Sequence, residues 1–413
     1  MLTAAVILTV TYIGIAFAWL PRVNIDRPSA AFIGGLLMVL FGIISFGEAV
    51  TAINFHILGL LLGMMMLIAG LQAVGFFNLV VVKALSIADT PRRLLLLVVT
   101  ATAVASAFFV NDAVVLLFTP IIVQTCRQRQ VNPVPYLIAE AMASNIGSTA
   151  TIVGNPQNML IGITAGISFT RFFLYLLPVA AVATIVLIFL AYGFYRRDFS
   201  HKFIADSMTA PPYDVAAIKR LTPVLVMVLL SFFLSSYIRL EISLIALGGA
   251  ALILVVGRVK PAVIIRSVDW VLLLFFAGLF VVIEGAHHAG VLDVFTREIV
   301  VTPDFVGITS ISVVSTIVSQ VVSNVPLTML VIPIIKNVPG DTLWIALAAG
   351  STLGGNLTII GAVANIIVVE IAARDGVTIG FVEFLKIGVA VTVVTVGAAI
   401  LILGAEYWLG WLR

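Results

Sequence analysis

The 413 residues include one cysteine, four histidines and few charges. Cys126 alone can form neither an internal disulfide nor a multi-thiolate metal site. His56, His201, His287 and His288 leave little for a histidine-rich centre, and no metal site is expected. Charged residues make up only 10% of the chain and the net charge is +3, which is no basic patch for a nucleic acid. There is no H-E-x-x-H and no G-x-S-x-G elbow, so no enzyme chemistry is indicated. What the chain has in excess is hydrocarbon. It is 62% hydrophobic, whereas soluble chains run roughly 45–50% apolar and about 25% charged. The composition predicts an all-α, polytopic membrane protein.

A spanning helix needs about 20 apolar residues. Candidates are Leu2–Leu20, Ser29–Phe46, Ile53–Val74, Tyr136–Phe169, Phe172–Tyr195, Leu221–Ile238, Ile242–Gly257, Trp270–Gly285, Thr342–Ala372 and Ile387–Leu403, ten in all. Leu2–Leu20 lacks a basic lead and a small-residue cleavage site, and is expected to be a retained span. Tyr136–Phe169 and Thr342–Ala372 are too long for one straight helix and carry Gly, Asn, Ser and Thr at their middles, the pattern of a broken helix. Leu94–Val110 and Ala113–Thr125 are short apolar arms joined at Asn111-Asp112, and Phe305–Val322 and Pro326–Ile335 are joined at Ser323-Asn324. Both pairs predict re-entrant hairpins, over 93–126 and 305–336. With the hairpins counted as zero crossings and the 196–220 stretch in the cytoplasm, 17 of the 22 lysines and arginines fall on the cytoplasmic side. Both termini then lie outside, in a prokaryotic inner membrane.

The chain repeats itself. "AGLQAVGFF" matches "EGAHHAGVL" at an offset of 215, "VNDAVVLLFTPII" matches "SNVPLTMLVIPII" at 213, and "GSTATIVGNPQN" matches "GGNLTIIGAVAN" at 207. Repeat one is placed at 1–200, a cytoplasmic linker at 201–220 and repeat two at 221–413. Five crossings per half, an odd number, invert one half relative to the other, the plan of secondary transporters.

Non-helical backbone in a bilayer must line protein or water. Two hairpin tips and two helix breaks converging near the midplane would form one site. Its candidate ligands are Asn111, Ser148, Thr149, Thr151, Asn155 and Asn158, with Asn324, Thr328, Asn356, Thr358 and Asn365 in the second half. Acids inside spans are costly and functional. Asp112, at the first tip, is the candidate proton or sodium carrier, or else an N-cap of the second arm. Glu140 is a second proton candidate, or a partner of Arg129. Glu370 and Arg374 suit a surface pair, and His287-His288 an outer loop. No arginine or lysine falls inside the predicted core, which favours a neutral polar solute, a cation, or an anion held by helix N-termini and a co-bound cation.

"VNDAVVLLFTP" and "SNIGSTATIVGNPQNMLIG" resemble the arsenite permease branch of the ion transporter superfamily, over essentially the whole chain. The resemblance implies a transport domain moving against a scaffold, and a binding role for Asn111, Asp112, Thr149, Thr151, Asn158, Asn324, Asn356 and Thr358. The Ser-Asn-Thr tip of the dicarboxylate and sulfate branch is absent. The expected function is proton-coupled efflux of arsenite or antimonite as neutral hydroxides, by an elevator-type alternation. The alternatives are sodium-coupled transport of an inorganic anion or small carboxylate, a sodium–proton antiporter using Asp112 and Glu140, and a channel. Expected partners are a small inorganic solute with its coupling ion (proton or sodium), the lipid bilayer, a second copy of the chain and, for a metalloid pump, a soluble ATPase subunit. No cofactor and no nucleic acid are expected.

Overall fold

A computed structural model describes residues 1–16, 26–200, 203, 212–293 and 301–412. Residues 17–20 of the first expected span, half of the 201–220 linker, Arg297 and Arg413 lie outside the described residues. Every described element is helical. The first half holds α1 (Leu2–Ala16), α2 (Arg27–Leu40), α3 (Phe46–Ala52), α4 (Phe55–Ala73), α5 (Phe76–Ser86), α6 (Pro91–Phe108), α7 (Asn111–Gln128), α8 (Val134–Ser148), α9 (Pro156–Ala165) and α10 (Phe169–Phe194). The second holds α11 (Val215–Ile238), α12 (Ile242–Val256), α13 (Pro261–Arg266), α14 (Trp270–His288), α15 (Phe305–Val322), α16 (Asn324–Ile335), α17 (Thr342–Gly354), α18 (Val363–Arg374) and α19 (Phe381–Trp408).

Short polar residues start these helices. Asp26, Thr90, Ser168, Asp214, Asp269 and Asp304 each accept a backbone N–H of the following turn, which meets donors that the helix itself cannot satisfy. Ser29 holds the Asp26 carboxylate below its ordinary range, by side-chain and backbone hydrogen bonds.

Among the described residues, seven helices are long and apolar enough to cross a membrane: α4, α6, α10, α11, α14, α15 and α19. The ten expected spans are thus not ten long helices. The two broken ones divide into α8 with α9 and α17 with α18, while α1, α2 and α12 are shorter. The sequence reading also passed over α3, α5 and α13. Each lies between apolar runs and is too short to show a 3.6-residue pattern clearly. His287 and His288 form the last turn of α14 rather than a loop, with His287 3.9 Å from Glu284.

Helix starts recur between the halves. α2, α3 and α4 begin at 27, 46 and 55, and α12, α13 and α14 at 242, 261 and 270, a constant offset of 215. The hairpin arms begin at 91 and 111 against 305 and 324. The first pair of arms starts earlier and ends later than the apolar run suggests, because Pro91 at the first helical position and the Thr90 cap extend α6. Each arm is 18 residues, about 27 Å. α6 turns back into α7 at Phe109-Val110. α15 turns into α16 at Ser323, whose φ of 70° is left-handed and costs a residue with a Cβ about 1–3 kcal/mol.

Glycines set the closest helix approaches. A Cβ on Gly147 of α8 would lie 2.5 Å from the Ala103 Cα of α6 and on top of its carbonyl. One on Gly354 of α17 would lie 2.8 Å from the Thr316 Cα of α15, the mirror contact. Gly63 of α4 meets Ala246 of α12 in the same way at 2.6 Å, and Gly278 of α14 meets Ala31 of α2 at 2.7 Å. Backbones packed this closely gain dispersion where lipid offers no hydrophobic drive.

Candidate functional site

Each broken helix is built around an asparagine brace. α8 ends at Ser148, one 3-10 turn follows over Ile152–Gly154, and α9 starts at Pro156 behind an Asn155 cap. The Asn158 amide donates to the carbonyls of Ser148 and Thr151, both at 3.0 Å. In the second half the Asn365 amide donates to the carbonyls of Gly355, at 2.8 Å, and Thr358, at 3.0 Å. All three positions are related by the offset of 207. The free carbonyls of a broken helix are thereby satisfied internally.

The two braces are tied across the halves. Asn145 Nδ2 donates to Asn365 Oδ1 at 3.0 Å, and Thr352 Oγ1 donates to Asn158 Oδ1 at 3.3 Å. Asn145 and Thr352 are themselves 207 apart. Asn145 also donates to Asn356 Oδ1 at 2.9 Å and accepts from Asn111 at 3.1 Å. Asn145, Thr352 and Gln320 are absent from the sequence-derived set. The common offset marked Asn145 and Thr352, but they are different residue types and escape a search for identities.

Most predicted hydroxyl ligands are engaged by backbone. Ser148 and Thr149 donate to the Asn145 carbonyl, Thr151 to that of Ala107, and Thr328 to that of Asn324. Thr358 donates to Gln320 Oε1 at 3.0 Å. Asn155 reaches Ser148 Oγ at 3.0 Å and Thr352 at 3.3 Å. Replacing Asn158 or Asn365 by leucine is expected to strand two carbonyls, at about 1–3 kcal/mol each. Both variants should lower the thermal midpoint of the detergent-purified protein. A wild-type midpoint in either would mean the brace is dispensable.

A cavity of about 220 Å³ lies where the two hairpin tips meet. Of the predicted ligands, Asn111, Asp112 and Asn324 line it. Arg27, Gln157, Asp269 and Ser323 also line it and were not foreseen as ligands. Arg27 corrects the expectation of a core without basic residues. It precedes the apolar run of α2 and so counts as a loop charge in the sequence, yet in the fold it is half-buried with its guanidinium 3.4 Å from Ser323 Oγ. Asn324 is 8% exposed and its Oδ1 has no partner.

Asp112 is not the N-cap of α7. That position is Val110, with no side-chain cap. The carboxylate of Asp112 instead faces the Ala364 N–H in the first turn of α18, where a helix N-terminus favours negative charge. Asp269 Oδ1 accepts the Leu272 N–H of α14 at 2.9 Å. Glu140 is fully buried and meets the Thr119 hydroxyl, 3.1 Å from both of its oxygens. Its partner is thus Thr119 and not Arg129, whose guanidinium donates to the Ala88 carbonyl and lies over Phe203.

Residues 12–350 match the citrate transporter family CitMHS. The chain is 32% identical to a 46 kDa membrane protein of Mycobacterium leprae (strain TN), over 98% of this chain and 99% of that one. It is 25% identical to a transporter named arsB from Dictyostelium discoideum, over 92% of this chain and 88% of that protein. In fold it is similar to the YdaH transporter of Alcanivorax borkumensis, with a TM-score of 0.67 and 16% identity over 100% of this chain and 98% of that one.

Proposed function

The chain belongs to the citrate transporter family CitMHS, whose members are multi-pass membrane transporters and not enzymes, and from that premise we propose that it is a proton-coupled secondary transporter of a small carboxylate or oxyanion. The observation that carries this reading is the guanidinium of Arg27 in the cavity between the hairpin tips. Both acids that share the cavity face a helix N-terminus, Asp112 at α18 and Asp269 at α14. Arg27 is then the cation left for a solute, and a guanidinium matches a carboxylate in shape and charge. Asn111 and Asn324 add neutral groups from the two tips. Asp112 is the coupling group. It touches the solute cavity and is the one ionisable side chain at a hairpin tip. The breaks and hairpins, tied by Asn145 and Thr352, would move as one body against the helices around α4 and α12, the elevator-type alternation implied by the resemblance.

A second reading, efflux of arsenite or antimonite as neutral hydroxides, draws on the arsB relative and on Asn324, whose unpartnered oxygen suits a hydroxyl donor. The ring of Asn, Ser and Thr expected to hold such a solute is largely satisfied internally, which favours the anion.

Proteoliposomes offered labelled citrate and arsenite, with proton and sodium gradients varied separately, test both. Citrate uptake driven by a proton gradient is expected. Loss of a charge-assisted bond of about 1.5–3 kcal/mol in Arg27→Gln should cut it about 10- to 100-fold, with Arg27→Lys between. Arsenite flux without citrate flux would replace the anion reading by the metalloid one. A gradient of sodium alone driving uptake would remove the proton.

A further inference from the structure

A groove of about 480 Å³ opens at the ends of α10 and α11 that lie away from the 196–220 stretch. Both helices are long and apolar enough to cross the membrane, so these ends stand at the level of the lipid headgroups. One wall is the turn from α9 into α10, over 162–169. The other is the turn from α11 into α12, over 235–243, with His56 of α4 beside it. Phe169 lines the groove and stacks on Phe232, one turn deeper in α11, with ring centres 5.3 Å apart.

Several polar groups here are free for a ligand. Ser235 and Ser243 line the groove while only 7% and 4% exposed, and neither hydroxyl has a partner among the described residues. Buried hydroxyls are costly to leave unbonded. The Arg239 side chain, at the left-handed C-cap of α11, has no ion pair or hydrogen bond among the described residues. α12 starts at Ile242 without a side-chain cap, because the carboxylate of its N-cap Glu241 is taken by His56 Nδ1 at 2.6 Å. Its first backbone N–H groups are thus open donors, at the helix end that favours an anion.

Donors gathered around one free cation fit an oxyanion of a single negative charge. With Glu241 beside it, Arg239 cannot balance a phosphate monoester, which carries nearly two charges at pH 7. A phosphodiester carries one. The neighbouring side chains Tyr237, Ile238, Leu240 and Leu244 are exposed and apolar, the surroundings of a lipid chain, and tyrosine is typical of the headgroup level.

We infer that this groove binds a phospholipid by its phosphodiester. Arg239 supplies the cation, Ser235, Ser243 and the start of α12 the hydrogen bonds, and the acyl chains lie over Leu240 and Leu244. The headgroup then touches the broken helix on one wall and the flanking helices on the other.

Native mass spectrometry of the delipidated full-length protein reads this directly. The probes are phosphatidylglycerol and a diacylglycerol of the same chains, with inorganic phosphate as competitor. The wild type should retain phosphatidylglycerol and not diacylglycerol. Arg239→Gln should weaken retention about 10- to 100-fold, with Arg239→Lys between. Ser235→Ala with Ser243→Ala should weaken it about fivefold. Arg93→Gln, at an exposed pair with Asp89, should leave it unchanged. Thermal midpoints measured without lipid should match the wild type in all of these variants. Equal retention in wild type and Arg239→Gln overturns the site, as does equal retention of diacylglycerol. Displacement of the lipid by millimolar inorganic phosphate would assign the groove to a free oxyanion and overturn the lipid.

Discussion

Asp112→Asn is expected to abolish uphill accumulation of solute while leaving slower solute exchange across the same membrane. The substitution keeps the size of the side chain and an oxygen for the Ala364 N–H, so α18 keeps its N-terminal partner. What it removes is the group that can carry a proton. Per proton, each unit of pH gradient can sustain about a tenfold concentration ratio, and without coupling the ratio falls to one. The measurement is the steady-state ratio of labelled citrate in proteoliposomes at fixed inward proton gradients. Accumulation at the wild-type ratio would move the coupling group elsewhere. Glu140, sealed between α7 and α8 with Thr119, would be the next to test.

Gly147→Val should destabilise the fold strongly, with a clear drop in thermal midpoint and yield. The Cβ it introduces meets backbone, the Ala103 carbonyl and Cα of α6, and no rotamer change relieves a backbone contact. Overpacking a core costs typically about 1–3 kcal/mol, occasionally more, and here the relief would require α6 and α8 to separate along their length. Gly193→Ala is the control. It lies within α10, nothing stands within 4 Å of the added carbon, and helix propensity favours the change. Monodisperse yield in detergent and thermal midpoint check both. A folded Gly147→Val of wild-type midpoint would show that the approach of α6 to α8 is looser than drawn.

The hairpins and breaks were legible in the sequence because polar residues inside long apolar runs have few physical excuses. Asn111-Asp112, Ser323-Asn324 and the Gly-Asn-Pro segment at 154–156 all lie where one helix has ended and the next begins. The fates of the side chains were not legible. A motif states that Thr151 and Asn158 sit at a break, but not whether they face a void or a carbonyl, and most of the hydroxyls face carbonyls. Arg27 was hidden for a different reason. Its charge places it outside a hydropathy window, and only the packing of α2 against the second hairpin tip brings it to the cavity.

The glycine contacts behave like gear teeth. They mesh α6 with α8, α15 with α17, α4 with α12, and α2 with α14. Each mesh joins helices of one kind, either hairpin arm to broken helix or flanking helix to flanking helix. Among the four, none crosses from the hairpins and breaks to the flanking pairs. The boundary between the two kinds runs beside the cavity that holds Arg27 and Asp112, and side chains rather than these four glycine contacts bridge it, Arg27 to the Ser323 hydroxyl and the Tyr12 hydroxyl to the Pro326 carbonyl.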